Sequence, residues 1–559
     1  MNKKKDELKL CTLSGTTEVG RNCNFLEYKD EILIIDAGYS FPGQEMYGID
    51  YLIPNFKYLK KNKSKVKGIV ITHGHLDHTG ALRYLLPDLD FPPIYAGSFA
   101  KALITEKLKE HRMDKRTKIT DVDRKTTIKV GKYFKVTFIG INHSIPDAYS
   151  VYVETPKGNV FLSGDYKLDT NPANEPQTDY NKLRSLRGKI DLALIESTNS
   201  QTPGKAPSES EIAKNLENTI KKADGRVIVA SFSSLLTRLY SLIEIAKKTK
   251  RKVVLSGRSL QQSVTIAQQQ HYLDIPKGLI IKEHEIKRYP DNQLLMLCTG
   301  SQGERYAALN RISLNEHKYI KLKDSDLVVL SSSEIPDNVT KIEKMTDRLI
   351  ALGADLIKDT PGNKIHSTGH GYRKDTKMMY EMIKPKTVMP IHGPLTFRYF
   401  NKQNFVNWGM PEDRVFLTDD GQNWIFDGNY WRRGKKIESK PILIDGLGVG
   451  DTGEIVLKDR EQLAEFGIFS VVLNLSSKNK KIIGRPRFIS RGFIYMKKSH
   501  SLLQELENIV KDTHREWVNK SKQKNKYVIK DLQKMIETRL SGYIFKKTER
   551  EPIILVVTI

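Results

Sequence analysis

The six residues His73-Gly74-His75-Leu76-Asp77-His78 place three imidazoles and one carboxylate next to one another. They follow a short apolar run at residues 68–72 that is typical of a buried strand, and they precede residues 79–86, which are typical of the start of a helix. These side chains are ligands that zinc prefers, and so many of them can serve two cations. We therefore expect a metal site between a strand and a helix. The alternative is a polar turn that is rich in histidine by chance.

Length and composition limit the class of protein. The chain has 559 residues, 39% hydrophobic and 28% charged, which indicates a globular protein of about three domains. No run approaches the roughly eighteen apolar residues of a membrane span, and residues 1–7 lack the apolar stretch of a signal peptide. We therefore expect a cytoplasmic protein without a membrane partner. Cys11, Cys23 and Cys298 are too scattered for a disulfide framework and are expected in the core.

The charge balance points to a polyanionic partner. The formal net charge is +26, from 92 Lys and Arg against 66 Asp and Glu. Such a charge favours nucleic acid or an anionic membrane surface. The alternative is a lysine-rich background in which most of the charge is solvated. Beside a metal site that suits phosphodiester chemistry, the charge favours nucleic acid.

Two further candidate ligands follow predicted strands. Short strands dominate residues 8–38, which indicates a layered α/β sandwich. His143 comes after the strand at residues 135–139, and Asp165 comes after the strand that begins at Val160. Either residue alone is more often structural, but both lie at strand ends of the same presumed domain. A carboxylate at position 165 would bridge two cations about 3.5 to 4 Å apart.

This series of histidines and aspartates resembles the ligand series of the metallo-β-lactamase superfamily. The resemblance implies an α/β fold, a metallo-β-lactamase αββα sandwich. It also implies two zinc ions per subunit, with Mn²⁺ or Mg²⁺ as alternatives. By the resemblance, one ion takes His73, His75, His143 and Asp165, and the other takes Asp77, His78, Asp165 and His392.

A long insertion separates Asp165 from His392, and its alternating strands and helices predict a mainly parallel sheet. Glu196, His370 and His392 resemble motifs A, B and C of the β-CASP subgroup. Within that subgroup nearly the whole chain resembles the ribonuclease J family, most clearly at residues 41–51, 299–304 and 489–495.

The resemblance and the composition together predict the domain boundaries. The expected segments are residues 1–205 and 361–440 for the metallo-β-lactamase domain, an inserted β-CASP α/β domain at 206–360, a glycine-rich linker at 441–455, and a small α+β C-terminal oligomerisation domain at 456–559. In the last segment we expect strands at 469–473 and 493–496, and burial of the apolar end at 553–559. We also expect a helix from His500 and one near residues 527–539.

The resemblance also implies a chemistry. It implies a zinc-dependent ribonuclease that degrades single-stranded RNA from 5′ to 3′, with endonuclease activity besides, in RNA maturation and decay, and leaves 5′-phosphate products. The implied catalytic residues are His370, as proton donor to the leaving oxygen, Asp77 and Glu196. Substrate-binding residues are expected at Phe232, Ser233 and Ser234, and at His366, Ser367, Thr368, Gly369 and His370. We expect a homodimer or homotetramer, or a hetero-oligomer with a paralogue.

Several positions depart from the pattern of the family. Leu235 and Thr237 lie in the serine loop, Pro394 and Leu395 follow the histidine of motif C, and the loop at residues 336–339 is altered. These changes put in doubt substrate binding and the support of His392. A weakly active RNA-binding paralogue subunit is therefore the alternative function. The insertion and the charge disfavour a thioesterase or lactonase, and nothing in the sequence separates an RNA from a DNA substrate.

Overall fold

The structure is a computed structural model that describes residues 6–43, 45–335, 338–496, 499–523 and 526–559. Pro336 and Asp337, part of the altered loop named above, lie outside the described residues, as do Gln44 and residues 1–5. The chain forms two compact units. Unit 1 is Met1–Ser40 with Ile53–Pro441, and unit 2 is Phe41–Leu52 with Ile442–Ile559. Within the described ranges, every helix is too short or too polar to cross a lipid bilayer.

The first part of the chain is rich in strands. Its strands are β1 (Leu8–Ser14), β2 (Cys23–Tyr28), β3 (Glu31–Ile35), β4 (Tyr51–Ile53), β5 (Val66–Val70), β6 (Ile94–Gly97), β7 (Ile119–Val122), β8 (Thr127–Val130), β9 (Phe134–Gly140), β10 (Tyr149–Glu154), β11 (Asn159–Leu162) and β12 (Leu192–Glu196). Its helices are α1 (Lys57–Lys61), α2 (Leu76–Thr79), α3 (Leu82–Asp88), α4 (Ser98–Lys109) and α5 (Tyr180–Ser185). Because α2 begins at Leu76, Asp77 and His78 lie in a helical turn rather than in the expected loop.

The middle of the chain alternates strands with helices and then returns to the first part. The inserted elements are α6 (Glu209–Lys221), β13 (Val227–Ala230), α7 (Leu236–Lys248), β14 (Lys252–Ser256), α8 (Arg258–Gln269), β15 (Ile280–Ile281), β16 (Leu294–Cys298), α9 (Ala308–Ser313), β17 (Leu327–Leu330), α10 (Val339–Ala351) and β18 (Asp355–Lys358). The returning elements are α11 (Arg373–Ile383), β19 (Val388–Ile391), α12 (Leu395–Asn407), β20 (Gln422–Phe426) and β21 (Trp431–Arg433).

Two sheets pack face to face in unit 1. The larger has the order β21-β20-β1-β2-β3-β5-β6-β7 and the smaller β19-β12-β11-β10-β9-β8. Alternate side chains fill the space between them, such as Leu10 and Leu33 from the larger sheet and Phe138 and Leu194 from the smaller one. Helix α4 contacts β6 and β7, and α5, α11 and α12 cover the smaller sheet. This arrangement is the predicted αββα sandwich.

The inserted sheet has the order β15-β14-β16-β13-β17-β18, and its neighbouring strands run parallel. Successive strand residues face opposite sides, so Val229 packs with α6, α7 and α8, whereas Ile228 packs with α9 and α10. The predicted parallel sheet is therefore confirmed. Helix α6 is capped by Ser208, whose hydroxyl accepts from the Ser210 amide at 3.3 Å.

Unit 2 has its own core. Its elements after β4 are β22 (Ile442–Asp445), β23 (Gly448–Val449), α13 (Glu454–Phe466), β24 (Ile468–Leu473), β25 (Arg487–Arg491), α14 (His500–Gln523), α15 (Ile529–Thr548) and β26 (Ile553–Thr558). The stretch predicted as a glycine-rich linker thus contains two short strands. The sheet β25-β24-β26 buries Phe469, Val471 and Leu473 against α14 and α15. The cysteines at positions 11, 23 and 298 are buried and free, as expected.

Two predictions for unit 2 need correction. The prediction of a strand at residues 493–496 is wrong, because the strand in this part of the chain is β25, which ends at Arg491. Gly492 then takes a positive φ of 71°, so the apolar run after it packs without extending the sheet. The apolar chain end does form β26, parallel to β24, but its residues alternate between the two faces. Val556 is only 4% exposed, whereas Val557 is 37% exposed.

This alternation predicts different effects for two identical substitutions. Val556→Ala should lower the unfolding free energy of unit 2 by about 1 to 3 kcal/mol, because it removes buried methyl groups. Val557→Ala, the matched control on the open face, should cost less than half as much. Amide hydrogen exchange of α15 in the full-length protein measures both changes. Equal losses would contradict the register of β26.

Candidate active site

Five polar residues stand at the carboxyl ends of parallel strands. Asp36 follows β3 and His73 follows β5, and these two strands are parallel neighbours. Asp165 follows β11, Glu196 ends β12 and His392 follows β19, which are parallel neighbours in the other sheet. Carboxyl ends of parallel strands meet at one edge of a sheet. The topology therefore collects residues that are far apart in sequence.

The side chains predicted as metal ligands lie together in two groups. The groups are His73, His75 and His143, and Asp77, His78, Asp165 and His392. Within each group the ligand atoms all lie within 4.8 Å of one another. In the first group His75 Nδ1 is 3.1 Å from His73 Nε2 and 3.1 Å from His143 Nε2. The structure thus brings all seven residues together.

Asp165 lies between the two groups. Its Oδ2 is 3.2 Å from His78 Nε2, 3.5 Å from His392 Nε2 and 3.8 Å from His73 Nε2. Burial alone would raise the pKa of Asp165, but His392 and His78 outweigh burial and hold this pKa well below its usual range. An ionised oxygen therefore faces ligands of both groups.

Four of the imidazoles are oriented through Nδ1. The hydrogen bonds run from His73 to Thr72 Oγ1 (3.1 Å), from His78 to Asp36 Oδ2 (2.8 Å), from His143 to the Gly369 carbonyl (2.7 Å) and from His392 to Asn22 Oδ1 (2.9 Å). In a neutral ring whose Nδ1 carries the proton, Nε2 keeps a lone pair that can bind a metal ion. His392 Nε2 is buried and has no hydrogen-bond partner among the described residues.

The first group consists of neutral rings. Burial, followed by the neighbouring imidazoles, lowers the pKa of His73 and of His143 well below the usual range. Burial also lowers the pKa of His75 to about 4, although Asp77 and Asp165 oppose it. Three neutral imidazoles that face one another suit a borderline cation such as zinc.

Carboxylates surround His78 in the second group. Burial would lower the pKa of His78, but Asp165, Asp77 and Asp36 together outweigh burial and raise it well above the usual range. Three carboxylates around one imidazole leave negative charge that a divalent cation would offset. This charge, the donor set and the His392 Nε2 that lacks a hydrogen-bond partner among the described residues all fit divalent metal ions.

Three residues that orient the ligands carry no signal of this role in the sequence. Asp36 is only an acid at the end of an apolar run, and Thr72 is only the neighbour of the first histidine. Asn22 lies in a loop and follows no sequence pattern. The Asn22 amide oxygen accepts from His392 and so orients this ring. Pro394 and Leu395 had put the support of His392 in doubt, but both of these side chains are exposed.

His370 lies beside the two groups. Its Nδ1 donates to Glu196 Oε2 at 2.7 Å, and Glu196 Oε1 accepts from the Tyr166 amide at 2.8 Å. Burial would lower the pKa of His370, but Glu196 outweighs burial and raises it to about 9. Its ring centroid is 5.1 Å from that of His143. His370 therefore keeps a proton at neutral pH next to the predicted metal ligands.

The two predicted substrate loops differ in how open they are. Phe232, Ser233 and Ser234 are half-buried between β13 and the start of α7. The departures Leu235 and Thr237, next in the chain, are buried. The half-open loop before a helix suits a phosphate, since such loops present backbone amides.

The loop at residues 366–370 is held more firmly. The Ser367 hydroxyl is buried, donates to the Pro207 carbonyl at 2.6 Å and accepts from Lys167 Nζ at 3.2 Å. Thr368 Oγ1 accepts from the His370 amide at 3.2 Å. A Cβ on Gly369 would lie 2.7 Å from the His143 ring, so this position requires glycine. His366 is buried, and its Nδ1 finds no partner among the described residues.

Three family models match the chain. The metallo-β-lactamase superfamily matches residues 16–193, the ribonuclease J β-CASP domain matches residues 224–349, and the ribonuclease J C-terminal domain matches residues 455–559. The matches follow the order of the sandwich, the inserted sheet and the second unit.

Curated proteins are similar over the full length. The chain is 36% identical to ribonuclease J of Mycoplasma pneumoniae, covering 99% of this chain and 97% of that protein. It is 35% identical to ribonuclease J 1 of Streptococcus pyogenes (99% and 97%) and 34% identical to ribonuclease J 2 of Staphylococcus aureus (100% and 99%). These similarities extend through both units.

A solved structure shares the fold. It is a protein of unknown function from Enterococcus faecalis V583, with a TM-score of 0.53 and 14% sequence identity. The match covers 75% of this chain and 100% of that one. At this identity the likeness concerns the fold alone.

The role of Asp36 can be tested by metal binding. Asp36→Asn should weaken the binding of divalent metal about tenfold, because the carboxylate accepts from the Thr72 amide at Oδ1 and from Thr72 Oγ1 and His78 Nδ1 at Oδ2, whereas an amide side chain accepts at only one of these two atoms. A titration of metal-free protein against a competing chelator measures this change. Asp88→Asn, a half-buried acid at the end of α3 and away from the ligands, is the control. Unchanged affinity in Asp36→Asn would remove Asp36 from the metal centre.

Proposed function

The chain belongs to the ribonuclease J family of the metallo-β-lactamase superfamily, and on that premise we propose that it degrades single-stranded RNA from the 5′ end with two zinc ions per subunit. Membership makes it a metal-dependent phosphodiesterase of the ribonuclease class. The proposal includes three finer statements: a preference for zinc over Mn²⁺ or Mg²⁺, digestion from 5′ to 3′ with additional endonuclease activity, and 5′-phosphate products.

One observation carries the proposal: two groups of ligands share the carboxylate of Asp165, and His370 lies beside both. Each group offers three or more donors, as a two-metal hydrolase requires. When bound, two divalent cations activate water near neutral pH and offset negative charge on phosphoryl oxygens. His75 and Asp77 are the half-buried ligands, so the centre reaches solvent on their side, where a phosphodiester would arrive.

In this proposal the protein's own side chains supply the proton that the leaving oxygen takes up. Glu196 holds His370 through Nδ1, which leaves Nε2 free to donate. Glu196 outweighs burial and raises the pKa of His370, which favours the protonated ring, and the Tyr166 amide fixes the other oxygen of Glu196. In this proposal His370 donates to the departing 3′ oxygen, and the product keeps its 5′-phosphate.

The two substrate loops support recognition of a 5′ end. In the proposal the loops at residues 232–234 and 366–370 bind the terminal phosphate and the first nucleotides. A bound 5′-monophosphate would make digestion proceed from 5′ to 3′. The net charge of +26 supports a polyanionic substrate.

The weakly active alternative is not favoured. Asn22 supports His392, and the departures Leu235 and Thr237 lie in the interior rather than on the open side of the serine loop. A small-molecule hydrolase is disfavoured by the matched β-CASP domain.

The proposal includes the assembly and the cellular setting. Exposed apolar side chains of unit 2, such as Leu447, Ile455 and Leu555, support a homodimer or homotetramer. A hetero-oligomer with a paralogue is the alternative. RNA maturation and decay would take place in the cytoplasm.

The function is tested with 3′-labelled, single-stranded RNA and metal-loaded protein. We expect metal-dependent digestion that is faster on a 5′-monophosphate than on a 5′-hydroxyl and is lost in His75→Ala. The matched control His111→Ala, at an exposed histidine, should digest normally. Intact RNA together with tight binding would overturn the proposal in favour of a scaffold subunit.

The role of His370 gives a second prediction. His370→Ala should lower kcat on RNA by about 10² to 10⁴, because the proton donor is removed. Glu196→Gln should lower kcat less, since the His370 pKa falls without its charged partner. Elemental analysis should show unchanged bound metal in both variants. A parallel loss of metal would make His370 a ligand instead.

A further inference from the structure

Three charged side chains are buried together outside the metal centre. Lys167 and Glu209 are 1% exposed and Arg238 is 0% exposed. Glu209 Oε1 lies 3.1 Å from Lys167 Nζ, and Glu209 Oε2 lies 3.0 Å from Arg238 Nη2. We call these three residues the triad. Charges this deep persist only when each is paired and hydrogen-bonded, so the triad has a defined geometry.

The triad joins the sandwich to the inserted sheet. Lys167 follows β11, two residues after the shared ligand Asp165, whereas Glu209 begins α6 and Arg238 lies in the first turn of α7. Burial alone would raise the pKa of Glu209, but Arg238 and Lys167 outweigh burial and lower it to about 2. The carboxylate therefore stays ionised and holds both cations.

Both cations of the triad also hold the loop at residues 365–370. Arg238 Nη1 donates to the Ile365 carbonyl at 3.0 Å and to Ser331 Oγ, which itself donates to the same carbonyl at 2.7 Å. Lys167 Nζ donates to Ser367 Oγ at 3.2 Å. The triad thus fixes the loop on each side of His366, whose buried Nδ1 finds no partner in the described part of the chain.

The other half of the loop has separate supports. The Gly369 carbonyl accepts from His143 at 2.7 Å, and His370 donates to Glu196 at 2.7 Å. One half is therefore held by the metal centre, and the other by the triad together with Asp359 Oδ1, which accepts from the Ile365 and His366 amides at 2.9 Å each. Loss of the triad should loosen residues 365–367 while the metal ligands stay in place.

We propose that Lys167, Glu209 and Arg238 are positioning residues that set RNA affinity and the preference for a 5′-monophosphate, acting through residues 365–367 and not through the metal centre. The inference rests on the proposed ribonuclease function. A loop already held in its binding conformation loses little conformational entropy when RNA binds, so its supports act on KM.

The test compares two substrates on full-length, metal-loaded protein. Lys167→Met removes the contact to Ser367 and leaves Glu209 paired with Arg238. The KM for 5′-monophosphorylated RNA should rise about tenfold, in line with one lost charged hydrogen bond. The preference over 5′-hydroxyl RNA should shrink. The kcat on bis(p-nitrophenyl) phosphate, which lacks a 5′ end, and the bound metal should stay within twofold, and Lys167→Arg should restore the RNA KM.

A matched control separates positioning from general stability. Arg226 and Asp326 form another buried pair of the inserted sheet, with Arg226 Nε 2.7 Å from Asp326 Oδ1, at the amino ends of β13 and β17. Arg226→Met should lower the melting temperature without raising the RNA KM. Ser331→Ala keeps every charge and should also raise the RNA KM, which tests the loop even where Lys167→Met does not fold.

The outcomes separate this inference from the proposed function. An unchanged RNA KM in folded Lys167→Met and Ser331→Ala proteins would overturn the positioning role. An equal loss of activity on RNA and on the small diester would also overturn it, because the metal centre would then be affected. A wild-type protein that cleaves neither substrate would instead overturn the proposed function.

Discussion

The buried carboxylate of Asp165 is the constraint on which the active site depends. Taking an ionised carboxylate out of water costs several kcal/mol unless partners compensate it. Here His78, His392 and His73 approach one oxygen, and they come from the ends of two sheets. The sandwich must therefore align the ends of β5, β11 and β19, and its core between the sheets serves that alignment.

Support of the ligands is distributed over the chain. The imidazoles of His78, His143 and His392 each donate through Nδ1 to an oxygen of another segment, so neither sheet completes the centre alone. The loop that ends at His370 is the main link, because it contributes the carbonyl that orients His143 and is also held by Arg238 from the inserted sheet. Under the proposed function, metal binding and substrate binding therefore depend on the same short segment, which has separate supports for its two halves.

Much of the fold was predictable from local patterns. The parallel sheet of the insertion follows from apolar runs that alternate with amphipathic helices, because burial on both faces leaves that signature in sequence. The strand expected at residues 493–496 was wrong for a local reason as well, since the positive φ at Gly492 ends the sheet before an apolar run. The prediction that the apolar chain end is buried was right for only part of its residues, because an edge strand buries alternate side chains, such as that of Val556.

By itself the sequence determined the types and order of the candidate ligands and the strand ends that His73, His143 and Asp165 follow, since these are properties of short segments. Only the tertiary structure decided which oxygen orients each ring and which charges meet in the interior. Asn22 and His392 are 370 positions apart, and His143 and Gly369 are 226 apart. Such contacts arise from how the sheets and the insertion pack, and no local pattern along the chain encodes them.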